Sequence, residues 1–199
     1  MSEKKYFELA KSKLFPINRS LTGKGVRKTL KLIKNEFPNL NIKKIRSGKK
    51  VFDWRIPAEW NIQNAYILDK KKNKIIDYKK NNLHIVGYSK PVNKYLKKRE
   101  LLKKLYSLKN QKDAIPYVTS YYKKDWGFCI KHSQKKKIER FYKSQDSFKV
   151  LINTNFNKNG YLNYGELVIK GKSKNEILIT TYICHPSMAN NELSGPIVS

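Results

Sequence analysis

One short stretch holds the residues best suited to chemistry: Cys184-His185-Pro186, then Asn190-Asn191-Glu192, then Ser194-Gly195. The run before it, Ile177-Leu178-Ile179-Thr180-Thr181-Tyr182-Ile183, is apolar and β-branched, the pattern of a strand buried on both faces. A histidine at the carboxyl end of such a strand, with a carboxylate in the loop that follows, stands where an open α/β sheet places ligands. Two plainer readings compete. His185 could be a structural histidine bonded to backbone, and Glu192 could be a favourable charge at a helix start. The residues alone leave both open.

Several other chemistries are excluded. Ser194 in Leu-Ser-Gly lacks the Gly-x-Ser-x-Gly elbow of a serine nucleophile. Thr22-Gly23-Lys24-Gly25 has neither the spacing nor the preceding strand of a phosphate loop. Cys129 and Cys184 lie far apart, without metal-type spacing or a disulfide framework, and read as small core residues. His84 and His132 have no neighbour at ligand spacing and read as packing or surface residues.

The 199 residues carry a formal net charge of +29, a balance that points toward anionic partners. The kind of cation tempers this. Of 44 basic residues only six are arginine, at 19, 27, 46, 55, 99 and 140. Bidentate recognition of phosphates and guanine edges favours arginine, so nucleic acid is disfavoured as the partner. Lysine is abundant together with asparagine, isoleucine and tyrosine, a compositional bias. The residues from Met1 to Lys13 are charged and do not form a secretory signal, and no apolar run approaches the roughly 20 residues that span a bilayer. The expectation is a soluble, cytoplasmic chain with reduced thiols.

The elements that must position the motif follow from periodicity. Phe7, Leu9, Ala10 and Leu14 predict a short helix, and Val26, Leu30, Ile33 and Phe37 a second one, capped by Ser20 or Thr22. Leu40 to Ile45 reads as a strand before the Ser47-Gly48 turn. Short strands are expected at 65–68, 74–78, 83–88, 118–122 and 126–130, and a basic helix from Tyr95 to about Leu108. Trp54, Trp60 and Trp126 are expected in one core. Phe148 to Asn155 predicts a strand, and Tyr164 to Lys170 a hairpin with Ile177 to Cys184. The fold class is α/β: residues 1–50 and 148–199 form an outer domain, interrupted by a small, mostly-β module at 51–147. The chain stops at Ser199, where a helix should begin, so the outer fold is expected to be C-terminally incomplete.

These blocks carry a resemblance. Leu14-Phe15-Pro16-Ile17-Asn18-Arg19-Ser20-Leu21-Thr22-Gly23, Val51-Phe52-Asp53-Trp54, Ile56-Pro57-Ala58-Glu59-Trp60-Asn61-Ile62 and Asn82 to Ser89 come first. Ala114 to Tyr122, Trp126-Gly127-Phe128-Cys129 and Cys184 to Gly195 follow in order. In these blocks the chain resembles the N-terminal part of the bacterial aminopeptidase-like domain proteins of the zinc-exopeptidase superfamily. Their mixed sheet with helices is interrupted by a β-rich insert. Relatives are often encoded near surface-polysaccharide biosynthesis genes.

The resemblance implies a co-catalytic zinc site that hydrolyses peptide or amide bonds of a small substrate. His185 matches the histidine that binds one metal. The position of the bridging aspartate falls on Asn191, with Glu192 beside it, a departure, since a bridge between two divalent ions needs an anionic oxygen. The metal-site candidates are therefore His185, Glu192 and Asn191. The family takes its general base and remaining ligands from segments beyond this loop, so no catalytic residue is named and the fragment is expected to be inactive alone. The alternative is a basic, non-catalytic module binding an anionic polymer such as nucleic acid or polysaccharide.

Overall fold

A computed structural model describes residues 3–121 and 123–199. Tyr122, expected at the end of a strand, and Met1 lie outside the described residues. In chain order the helices are α1 (Glu3–Glu8), which runs into a wide π-type turn at Leu9–Leu14, and α2 (Lys24–Glu36). Strands β1 (Asn41–Arg46), β2 (Lys50–Val51), β3 (Trp54–Arg55), β4 (Glu59–Leu68) and β5 (Lys74–Asp77) follow. Next come β6 (Val92–Lys97), α3 (Lys98–Leu102), β7 (Leu105–Tyr106), β8 (Phe128–Cys129) and α4 (His132–Phe141). The described chain closes with β9 (Ser147–Asn157), β10 (Tyr161–Glu166), a π-type turn at Ala189–Leu193, and α5 (Ser194–Val198). The result is a mixed α/β structure with several small sheets. It divides into two units, Met1–Trp60 with Phe156–Ser199, and Asn61–Asn155. The divide falls inside β4 and near the end of β9, later on both sides than the change in sequence texture at 50/51 and 147/148.

In the first unit, β1 and β10 pair antiparallel, Asn41 opposite Glu166 through Arg46 opposite Tyr161. Helix α2 lies on this ribbon through Leu30, which comes so close to β10 that a Cβ at Gly165 would press on it and on Leu40. Gly23, with φ 106°, starts α2 in place of the expected Ser20 or Thr22. Both hydroxyls are used otherwise. Ser20 Oγ donates to Thr22 O at 2.7 Å, and Thr22 Oγ1 accepts from Trp60 N at 3.1 Å. Buried Glu59 takes the Arg27 guanidinium through two bonds of 2.8 and 2.7 Å and the Tyr161 N–H at 3.2 Å, joining α2 to the start of β4 and of β10.

The second unit is built on the sheet β5-β4-β9-β6, with β6 antiparallel to β9. Ala65 and Ile67 of β4 and Phe148, Val150 and Ile152 of β9 are almost wholly buried, the alternation of strands with one core face. The expected helix from Tyr95 is not there. Tyr95 and Leu96 belong to β6, where Leu96 is buried and Tyr95 points out under Lys149, 4.7 Å from its ring. The apparent helical face of Tyr95, Leu96, Leu102, Leu105 and Tyr106 is spread over three successive elements, β6, α3 and β7. Only Lys98–Leu102 is helical, started by Glu100 accepting the Lys97 N–H at 3.0 Å. Helix α4 gave no apolar period because Ile138 is its one buried residue. The three tryptophans are divided between the two units. Trp60 is buried in the first unit, Trp54 is half-buried there, and Trp126 is buried in the second.

The expected hairpin of 164–170 with 177–184 is also absent. β10 pairs with β1, and residues 177–184 have no strand partner among the described residues. Ile177, Leu178 and Ile179 are 92%, 86% and 70% exposed. A β-rich composition is a preference for a half-buried pleated surface, and without a ladder to join it does not make a strand.

The second unit contains a group of carboxylates that tie its turns. Burial works to raise the Asp69 pKa, but bonds from Asn73, Tyr142 and Lys71 outweigh it and hold it low. Asp77 is likewise pushed up by burial and held low by the Lys79 N–H and by Lys74, and Asp146 is held low by the Lys143 N–H and Lys70. Depressed folded values mean stability that is present above the unfolded carboxylate range near pH 4 and lost as pH falls through the lower folded values. Urea unfolding followed between about pH 7 and pH 2 should therefore show stability falling steeply below about pH 4. Asp69→Asn should cost about 1–3 kcal/mol near pH 7 and flatten that slope.

Candidate functional site

The site lies wholly in the first unit and is assembled from its two ends. The wide turn after α1 places Leu14, fully buried, with its carbonyl accepting the Ile17 N–H at 3.1 Å. The following segment, through Asn18-Arg19-Ser20, is pinned by the Ser20 and Thr22 bonds and by α2, whose Gly25 sits directly against the Asn18 carbonyl. Arg19 is thereby buried, 1% exposed. From the other end, Leu193 packs with Leu14 and Ile17, seating the Ala189–Leu193 turn. Gly195 at the start of α5 meets Thr181 so closely that a Cβ would collide with its hydroxyl.

His185 is held where these ends meet. Its backbone N–H donates to Glu192 Oε1 at 2.7 Å, and its ring Nδ1 lies 2.7 Å from Glu192 Oε2. Against a carboxylate Nδ1 carries the proton, which directs Nε2 as the basic nitrogen. On the other side, Arg19 Nε donates to His185 O at 3.0 Å, while its Nη1 donates to Leu14 O at 2.6 Å. Tyr182 stands edge-on to the imidazole, ring centres 5.9 Å apart. The Cys184 Sγ is 3.8 Å from Nδ1.

Charge and burial oppose each other here. Burial raises the Glu192 pKa, and the bonds and charge of His185 and the charge of Arg19 pull it back without cancelling the rise. Burial lowers the Arg19 pKa against the attraction of Glu192 and Cys184. The Cys184 thiol is pushed up to about 12, first by burial and then by the Glu192 charge. Such a thiol is protonated at neutral pH and is no nucleophile.

The structure brings His185 and Glu192 into direct contact and leaves Asn191, one residue earlier on the same turn, exposed. Cys184, expected in a buried strand, instead sits half-buried beside the imidazole. Cys184, His185 and Glu192 are the group of acidic, thiol and imidazole donors whose ligand atoms lie within 4.8 Å of one another among the described residues. His84 is buried with Nδ1 2.7 Å from Cys129 O, and His132 Nδ1 lies 3.0 Å from Ser107 Oγ. Arg19 was not singled out from the sequence. Its signals were its place in the Leu14 to Gly23 block and being an arginine in a chain that uses lysine almost everywhere.

The donor set bears on a zinc ion in a definite way. Metal-bound histidines characteristically give their second ring N–H to a carboxylate, which fixes ring and tautomer. His185 and Glu192 have that arrangement, so His185 fits as a ligand through Nε2. Glu192, with both oxygens turned to His185, fits as the partner that orients it.

The comparisons with known proteins show the family. A family profile described as "Domain of unknown function (DUF4910)" matches residues 7–199. The chain belongs to this family. A relative from Clostridium acetobutylicum, provisionally named a polysaccharide biosynthesis protein with aminopeptidase-like domain, is 47% identical over 182 residues. The match covers 92% of this chain and 40% of the relative. A crystal structure of a provisionally assigned peptidase from the same organism matches with a TM-score of 0.91 at 44% identity, over 98% of this chain and 44% of that one. The DUF4910 chain thus resembles proteins named as peptidases or aminopeptidase-like, as the sequence blocks implied, and spans less than half the length of either.

The tight approach of Gly25 to Asn18 O is what lets α2 press on the Arg19 segment. Gly25→Ala should destabilise the protein by about 1–3 kcal/mol in urea unfolding, because the atom it meets is backbone and cannot swing away.

Proposed function

We propose that this chain is the histidine-bearing part of an aminopeptidase-like zinc hydrolase acting on peptide or amide bonds. The observation that supports it is the clasp on His185. A buried carboxylate holds both its N–H and its Nδ1, so that Nε2 is the nitrogen offered to a metal. Zinc, when bound, supplies Lewis acidity toward the scissile carbonyl and toward water. What this chain contributes is orientation. Glu192 keeps the imidazole in one tautomer, Arg19 holds the carbonyl of the same residue, and Tyr182 flanks the ring. Asn191 is neutral and exposed, so in this reading it does not bridge two metals. The names carried by the relatives support a hydrolase acting on a peptide-like substrate in the setting of polysaccharide biosynthesis.

In this reading the unit Met1–Trp60 with Phe156–Ser199 is the peptidase-like part, and Asn61–Asn155 is the inserted module. Among the described residues no helix is long and apolar enough to cross a membrane. The thiols of Cys129 and Cys184 are unpaired, which supports a reducing, cytoplasmic setting.

The test is zinc binding by the 199-residue chain, read by equilibrium dialysis with elemental analysis. With His185 as the ligand residue this chain supplies, weak zinc binding that is lost in His185→Ala is the expected result. Binding that His185→Ala leaves unchanged overturns the assignment of His185. Glu192→Gln should lower zinc affinity about 10–100-fold, since the amide cannot hold the N–H and Nδ1 together as a carboxylate does.

A further inference from the structure

The geometry points to Arg19 as the positioning residue that holds His185 where Glu192 can fix which ring nitrogen faces a metal, an inference that rests on the reading of His185 as a ligand. His185 is followed by Pro186, which has no backbone N–H. The peptide leaving His185 can therefore be anchored by the chain only through its carbonyl, and the donor on that carbonyl is Arg19 Nε at 3.0 Å. Glu192 holds the residue from its N–H side and by its ring. Two buried side chains of opposite charge thus clamp one residue front and back, and the ring orientation is the remainder.

The clamp uses a property that only the guanidinium has. Nε reaches the carbonyl of residue 185 while Nη1, in the same rigid plane, reaches the carbonyl of Leu14. The plane therefore ties the His185 loop to the end of the N-terminal helical turn at a fixed angle. A lysine has one ammonium on a flexible stem and cannot fork between two carbonyls in this way. The third nitrogen, Nη2, is buried and has no hydrogen-bond partner. A buried cation with an unmet donor is a costly choice if stability were its only use. Positioning explains why the fork is there with one prong idle.

The experiment uses the whole chain labelled with 15N-histidine, at about pH 8, where an ordinary imidazole is neutral. Long-range proton–nitrogen correlation distinguishes the Nδ1–H from the Nε2–H form, and the His185 pattern is the one lost in His185→Gln. Cobalt(II) is titrated into the same samples. The wild type should show His185 as Nδ1–H. Arg19→Lys should mix the two tautomers and weaken cobalt binding by about tenfold or more. Arg27→Lys, which alters the other buried-end guanidinium of this unit, should leave the His185 pattern as it was. If Arg19→Lys does not fold by circular dichroism, Arg19→Gln is read in the same way.

A pure Nδ1–H pattern with unaltered cobalt affinity in the Arg19 variant overturns the proposal. A tautomer that depends on Arg19 in a wild type that binds no cobalt keeps the positioning role and overturns the metal reading instead. Cobalt binding at His185 with a tautomer indifferent to Arg19 does the reverse.

Discussion

The first unit depends on keeping one carboxylate, Glu192, out of water. Its residue is 1% exposed, and a buried charge persists only if hydrogen bonds and an opposite charge replace the solvent it lost. Both its oxygens are met by His185, and the charge of Arg19 opposes the cost of burial. Everything around the motif serves that arrangement. The wide turn ending at Leu14 supplies the second carbonyl for the guanidinium, Leu193 packs on Leu14 and Ile17, and Gly25 lets α2 close on the segment that carries Arg19. The apolar packing and the polar clasp are interleaved residue by residue, since Leu193 follows Glu192 directly. Neither could be shifted along the chain without losing the other.

The second unit follows a different logic. It buries a conventional one-faced sheet and disposes of its cations locally. Lys94 and Lys104 lie over the Trp126 ring at 5.3 and 5.4 Å, Lys149 lies over Tyr95, and Lys74 over Tyr66. Long lysine stems cover apolar surface while the ammonium stays wet, so these residues contribute to the sheet's outer face. That gives these four lysines a structural use and takes their aromatic partners out of a polymer-binding footprint. An aromatic already covered by a lysine is a poor platform for a stacking base.

Elements with one long, clean period were legible in the sequence. Helix α2 and β9 lie close to where their apolar spacing placed them, because each buries one face, and β1 also lies near its expected place although none of its residues is fully buried. The 95–108 region was misread because leucines of three short elements happened to fall at helical intervals. Helix α4 was missed because it packs through one residue. Residues 177–184 failed in the opposite direction. Their local preference for a strand is strong, yet pairing is a property of two segments and the described residues offer no second one. Of the site, the His185 and Glu192 pair was legible because a histidine and a carboxylate in one loop are few and close. Their direct bond was not, since it depends on the π-type turn folding Glu192 back under the backbone of His185.

Arginine deserves separate reading in a chain of this composition, where lysine is the default cation and only six positions depart from it. If the departures were random they would fall mostly on exposed surface, as the lysines do. Two of the six do not. Arg27 grips Glu59 with both terminal nitrogens, and Arg19 bridges two carbonyls with Nε and Nη1. Each task needs a planar donor with fixed angles between its N–H groups, which an ammonium cannot supply. Both also join segments distant in the chain, α2 to β4 in one case and the N-terminal turn to the histidine loop in the other. In a lysine-rich sequence the arginine positions therefore carry structural information that the total charge conceals, and position 19 carries it into the candidate metal site.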